Sequence, residues 1–263
     1  MKNITLRSLN KIKQEGEKFA CLTAYDASFA QVVSDAEIEV ILVGDSLGMV
    51  LQGKSSTVPV TMDEMVYHTQ CVSRSQSKSL LISDMPFMSY RTEELAMENA
   101  TRLMQAGAEV IKLEKSGHIV PTIQRLTDYG IPTCAHIGLA PQQVHKLGGY
   151  RVQGREQEQA DLMKQEALDL QQAGADLLLI ELIPAPLAAE ICSLVDIPVI
   201  GIGAGPDTDG QILVLHDMLG ITPHTPPKFV KNFMPEASSI QQAIELYGQA
   251  VRSGRFPAPE HCF

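Results

Sequence analysis

The sequence predicts a (β/α)8 TIM barrel, of the α/β class, from three observations. Short β-rich runs alternate with helical patterns eight times in 263 residues, about 33 residues per unit, and roughly 250 residues is typical of that barrel. QAGAEVIKLE (105–114) and QAGADLLLIE (172–181) match through helix end, glycine and strand, 67 residues apart and so close to two units. Ile-Pro opens the following run at 131 and again at 197, 66 residues on. Ala-Gly-Ala before a strand is common in α/β folds generally, but the matched offsets favour a closed barrel over an open doubly wound sheet. GIGAG (201–205) also departs from the G-x-G-x-x-G of a dinucleotide fold. A single barrel domain is expected over 1–263, with no linker.

In chain order the runs are FACLTAY (19–25), VILVGD (40–45), LLISD (80–84), VIKLE (110–114), PTCAH (132–136), LLLIE (177–181), PVIGIG (198–203) and ILVLHD (212–217). Each is too short for an independent helix and apolar enough for a buried parallel strand. Between the second and third, Thr61-Met62-Asp63-Glu64 fits a capping box, with Met65, Thr69 and Val72 following at helical spacing. Between the fifth and sixth, Ala160, Met163, Ala167 and Leu170 form a stripe that stops at Gly174. After the eighth, Ile240, Ala243/Ile244, Tyr247 and Val251 form another that ends before Gly254.

Composition narrows the function classes. With 44% hydrophobic and 20% charged residues the chain is ordinarily globular. Its 21 basic and 31 acidic residues leave a net charge of −10 and no lysine/arginine run, which argues against a nucleic acid or an anionic membrane as partner. Five scattered cysteines without a C-x-x-C pair argue against structural disulfides and a thiolate zinc site. Neither a signal-peptide stretch nor an apolar segment of about 18 residues is found, so a cytoplasmic location is expected.

Chemistry in this fold sits at the carboxyl ends of the strands. Those positions hold Tyr25/Asp26, Asp45/Ser46, Asp84, Lys112/Glu114, His136, Glu181, the GIGAG turn and His216/Asp217. Strand alternation places Val43 with Asp45, Ile82 with Asp84, Lys112 with Glu114, and Leu179 with Glu181. A helix N-cap explains one such aspartate equally well; several together, with a lysine and a histidine, favour a site. Unpaired carboxylates sharing a dry pocket repel, and a hard divalent cation resolves the conflict. Magnesium suits better than zinc, since no H-x-H or H-E-x-x-H is present.

Lys112 reads either as a point charge for a substrate carboxylate or oxyanion, or as a Schiff-base amine; Glu114 on the same face favours the charge. His136 reads as a donor to an oxyanion or as a satisfied histidine at the barrel mouth, and GIGAG as a phosphate turn or simply a tight turn. His216 and Asp217 are weaker candidates. A metal, a lysine and a spare glutamate suit enolate formation from a 2-oxo acid, with Glu181 as base because the metal does not need it.

VGDSLGMVLQG (43–53), TVPVTMDEMVYHT (57–69), Asp84-Met-Pro-Phe-Met, VIKLE, HIGLAPQQVHKLGGYRVQGR (136–155), GIGAGPDTDGQILVLHDMLGI (201–221) and PKFVKNF (227–233) resemble the ketopantoate hydroxymethyltransferase family. The resemblance runs from about residue 5 to the C-terminus. It implies a barrel of the phosphoenolpyruvate mutase/isocitrate lyase kind, assembled as a homo-oligomer, often a decamer. It implies transfer of a one-carbon unit from 5,10-methylenetetrahydrofolate to 3-methyl-2-oxobutanoate, giving 2-dehydropantoate and tetrahydrofolate in pantothenate biosynthesis, with Mg2+ as the metal.

By the same resemblance Asp45 and Asp84 match direct metal ligands, and Glu114 a ligand acting directly or through water. Ser46 and Lys112, with Asp45 and Asp84, match residues that hold the oxo acid; Glu181 matches the proton acceptor and His136 a pocket residue. Lys115-Ser116 departs from the glycines expected after Glu114. The competing readings are a lyase or mutase of the same superfamily, whose K-x-C-G-H lid motif is not found, a Schiff-base aldolase using Lys112, and a barrel kept only as a scaffold.

Overall fold

The computed structural model describes residues 3–75, 77–114, 119–222 and 225–263; the Lys115-Ser116 departure lies outside them. Eight parallel strands close in chain order: β1 (Phe19–Thr23), β2 (Val40–Val43), β3 (Leu80–Asp84), β4 (Val110–Glu114), β5 (Thr133–Gly138), β6 (Leu177–Glu181), β7 (Val199–Ile202) and β8 (Gly210–Leu213). The seam is β1 on β8, with Phe19 opposite Gly210 and Leu22 opposite Leu213. The expected barrel is therefore present, and every strand but β7 feeds a helical segment outside it; β7 runs straight into β8 through the turns of residues 203–209, so the strand–helix alternation expected from the sequence is broken there.

Alternation along these strands divides the apolar residues into two cores. Phe19, Cys21, Val40, Leu42, Ile82, Val110, Cys134, Leu179, Ile200 and Ile212 fill the barrel, while Ile41, Val43, Leu81, Ile111, Leu113 and Ile180 point out to the helices. The helix Leu6–Gln14 lies against the amino end of the inner core through fully buried Leu9. Burying that leucine is worth about 2 kcal/mol. A 2.9 Å ion pair from Lys13 to Asp209 holds the helix beside β8.

The capping box forms as expected on the helix Met62–Ser73: the Thr61 side chain accepts from the Glu64 N–H, and the Glu64 carboxylate accepts from the Thr61 N–H. The helix docks on β3 through a 2.8 Å hydroxyl contact between Thr69 and Ser83. The stripe on Gln157–Gln172 is buried as expected. On Ile240–Arg252 the stripe is buried from Ala243 onward, but Ile240 itself is 41% exposed, because it is the first helical residue, at the rim of the packed face.

β5 runs two residues past its expected end to Gly138 and β7 stops one residue early at Ile202, while three strands stop well short of expectation. β1 stops at Thr23, and Asp26 caps the helix Ala27–Asp35, accepting a hydrogen bond of 2.9 Å from the Phe29 N–H. β2 stops at Val43, which faces the helices, so Asp45 does not reach the site by alternation with it. β8 stops at Leu213, because the Leu215 N–H is drawn to Thr23 Oγ1 at 3.0 Å and the chain turns into the short helix Leu215–Met218. Among the described residues no helix is long and apolar enough to cross a membrane.

Candidate active site

The carboxyl end of the barrel opens into a cavity of about 620 Å³. Asp84, Lys112, Glu114, His136 and Glu181 reach it from β3, β4, β5 and β6, each sharing its inward face with an apolar residue below: Ile82, Val110, Cys134 or Leu179. Asp45 and Ser46 arrive by a turn. Gly44 makes the turn possible, since a Cβ there would meet Ser46 Oγ at 2.8 Å and Asp84 Oδ2 at 3.4 Å. All seven residues expected in the site thus line one cavity, and the apolar part of its wall includes Met49, Val50, Ile202 and Phe229.

The side chains at the floor of the cavity are almost fully buried. Asp45 and Asp84 are 3% exposed, Glu114 2%, Lys112 4% and His136 1%. Lys112 Nζ donates to Asp84 Oδ1 at 2.7 Å and lies 3.6 Å from Glu114 Oε1; the Asp45 N–H donates to Asp84 Oδ2 at 3.1 Å. His136 stands between two glutamates, with Nδ1 3.4 Å from Glu114 Oε1 and Nε2 3.3 Å from Glu181 Oε2, neither aligned as a hydrogen bond. Ser46 Oγ is 2.9 Å from the Tyr25 hydroxyl.

The ionisation preferences follow from burial set against this geometry. Burial, then the Glu114 and Asp84 charges, push the Asp45 carboxyl well up. Burial also raises Asp84, although Lys112 opposes it. Glu114 goes the other way: burial is outweighed by Lys112, His136 and the Gln142 N–H, and its carboxyl falls. Burial disfavours the Lys112 ammonium, but Asp84, Glu114 and Asp45 more than compensate and keep it charged. Such an ammonium is a poor imine-forming nucleophile, which weighs against the aldolase reading. Burial and Lys112 lower His136 while Glu114 and Glu181 raise it, with a net rise. Burial raises Glu181, with His136 opposing.

Fully ionised, the three buried carboxyl groups around one ammonium would leave two negative charges without a counter-charge, which is why Asp45 and Asp84 shift toward their neutral forms; a cation would favour the ionised ones. That donor set, all hard oxygen, fits magnesium. Among the described residues no three His, Cys, Asp or Glu side chains already stand as a closed metal cage. Magnesium does not require one, since it is commonly held by one or two carboxylates, waters and the substrate's own oxygens.

The weaker sequence candidates separate. Asp217 lines the cavity, whereas the His216 ring packs beside Tyr25 and Phe29 at centroid distances of 5.6 and 6.3 Å. In GIGAG, Gly203 and Gly205 have φ of +59° and +80°, and a Cβ on Gly205 would strike Ala185, so the tight-turn requirement accounts for both glycines. Sequence reasoning missed Gln142 and Tyr90, which are buried against Asp45 and Glu114. Gln142 lies inside the quoted HIGLAPQQ stretch, but an uncharged amide carries no mark of a site.

A closed (β/α)8 barrel that gathers buried acids, a lysine and a histidine at the carboxyl end of its strands is the framework of an enzyme. The sequence profile of the ketopantoate hydroxymethyltransferase family matches residues 3–259. The chain belongs to that family, and it is a transferase. It is 58% identical over 260 residues to the 3-methyl-2-oxobutanoate hydroxymethyltransferase of Marinobacter nauticus, covering 99% of this chain and 98% of that one. It is 55% identical over 261 residues to the enzyme of the same name from Vibrio vulnificus, covering 99% of each.

Among solved structures, 2,3-dimethylmalate lyase, a PEP mutase/isocitrate lyase superfamily member, superposes with a TM-score of 0.60 at 15% identity, over 79% of this chain and 80% of that one. Phosphonopyruvate hydrolase in complex with oxalate and Mg++ superposes with a TM-score of 0.60 at 15% identity, over 81% of each chain. These likenesses show the barrel fold alone.

Proposed function

We propose that the chain transfers a hydroxymethyl group from 5,10-methylenetetrahydrofolate to 3-methyl-2-oxobutanoate, consuming one water and giving 2-dehydropantoate and tetrahydrofolate, as a step of pantothenate biosynthesis. The observation that carries the reading is the convergence of Asp45, Asp84 and Glu114, all nearly fully buried, on one cavity with Lys112 and Glu181. Asp45 and Asp84 would hold Mg2+, and Glu114, whose oxygens already face Lys112, His136 and the Gln142 N–H, would act directly or through water. When bound, magnesium supplies Lewis acidity to a 2-oxo acid and stabilises its enolate.

The Lys112 ammonium and the Ser46 hydroxyl orient the acid, and His136 holds Glu181 from one side while leaving its carboxylate facing the cavity. Glu181 accepts the C3 proton, and its burial suits it to that work. The apolar upper wall around Met49, Val50 and Phe229 leaves room for the folate. The family resemblance carries with it a homo-oligomer, often a decamer, and the composition a cytoplasmic location, as parts of this proposal.

The test is proton exchange at C3 of 3-methyl-2-oxobutanoate in deuterated water, followed by NMR. Glu181→Gln is expected to bind the acid with magnesium as the parent does, yet to exchange about 10²- to 10⁴-fold more slowly. An unchanged rate removes Glu181 as the base.

A further inference from the structure

We infer that Gln142 is a positioning residue for the carboxylates of the magnesium site, fixing Asp45 with its side-chain amide and Glu114 with its backbone N–H. It lies in the single turn Pro141–Gln143 just past β5 and is 4% exposed. Its Nε2 donates to Asp45 Oδ2 and to the Met85 carbonyl, both at 2.9 Å. Its Oε1 accepts from the Tyr90 hydroxyl at 2.6 Å, and its backbone N–H donates to Glu114 Oε2 at 3.0 Å. The Tyr90 hydroxyl is also 3.1 Å from the Glu114 carbonyl oxygen. Two acceptors on the nitrogen side and a hydroxyl on the oxygen side leave one sensible orientation for the amide.

The placement answers a specific need. Asp45 is buried next to the like charges of Asp84 and Glu114, and a carboxylate so placed gains by rotating away from its neighbours. A neutral donor can hold it without adding a charge that would compete with the cation. Gln142 does this from a turn that also grips the segments just past β2 and β3 and the last residue of β4, so one residue sets the relative positions of two acids far apart in the chain. A partner that orients a ligand in this way typically governs metal affinity by about 10- to 100-fold.

The inference rests on the magnesium reading, and the test separates the two. Calorimetric titration of Mg2+ into the whole protein with 3-methyl-2-oxobutanoate present is compared for the parent, Gln142→Met and Tyr90→Phe, alongside thermal melts. Gln142→Met keeps the volume and the backbone N–H but deletes both bonds to Asp45 and Met85, and is expected to weaken Mg2+ about 10- to 100-fold. Tyr90→Phe leaves the amide donors in place but unlatches Oε1, and is expected to weaken Mg2+ less, by several-fold. A lowered melting temperature with unchanged magnesium affinity in Gln142→Met overturns the inference, because a purely structural role predicts that pairing. If Gln142→Met does not fold, unchanged affinity in Tyr90→Phe overturns it instead. A parent that binds no Mg2+ removes the magnesium reading itself, and this inference with it.

Discussion

Asp26 and Asp45 both stand just past a strand, and what each touches decides its work. Asp26 turns to the backbone and caps a helix through the Phe29 N–H. Asp45 turns inward, where Gln142 and two further acids surround it. His216 shows the same dependence on surroundings. Burial beside Tyr25 and Phe29 lowers its pKa, and the Asp217 and Asp26 charges only partly oppose this. The folded state therefore binds that proton less readily than the unfolded chain. The stability this provides is present above the ordinary histidine pKa of about 6.5 and is lost as pH falls through the lower folded value. Thermal melts from about pH 7.5 to about pH 5 should show the parent losing stability relative to His216→Gln. Parallel curves would mean that the ring is not set against its charged form.

The echo between 105–114 and 172–181 has a structural cause that substitution can expose. Gly107 caps the helix Glu93–Ala106 at φ +111°, and a Cβ there would meet Ser73 Oγ at 2.7 Å; Gly174 follows the helix Gln157–Gln172 at φ +97°, and its Cβ would meet Thr127 Oγ1 at 2.8 Å. Gly254 has φ +69° but open space around it. Gly107→Ala and Gly174→Ala should each lose about 2–4 kcal/mol, from backbone strain plus crowding, and Gly254→Ala about 1 kcal/mol from strain alone. Chemical denaturation measures all three, and equal losses would show that crowding contributes nothing. Elements of this kind are legible in a sequence because their causes are local: a glycine cap, a capping box, an apolar run of strand length. The end of β8 is not, because ILVLHD runs apolar through Leu215 while the turn depends on Thr23, far away in the chain. The site divides in the same way. Acids at strand ends betray themselves, since burying them is costly, whereas the placement of Asp45 depends on a glycine turn and that of Gln142 on contacts to three other segments.

The barrel has unlike ends: the amino end carries the helix Leu6–Gln14 and a dry apolar core, and the carboxyl end carries a cavity with surplus negative charge. Folding must therefore bring Asp45, Asp84 and Glu114 together against their mutual repulsion, with Lys112 as partial relief. Whatever neutralises the surplus should stabilise the whole molecule, because it binds the folded state and not the dispersed strand ends of the unfolded one. Mg2+ alone finds few protein ligands and should raise the melting temperature little. Mg2+ with 3-methyl-2-oxobutanoate, which adds its own oxygens, should raise it much more. At about 100 times the dissociation constant the gain is about 2.7 kcal/mol, or roughly 5–10 °C for a chain of this size. Differential scanning fluorimetry with each ligand alone and then both together reads this directly. The increment from the pair should exceed the sum of the single increments, and it should vanish with EDTA. If the oxo acid alone stabilises the protein as well as the pair does, the carboxylates are balanced by something other than a cation, and Lys112 becomes the residue on which acid binding depends.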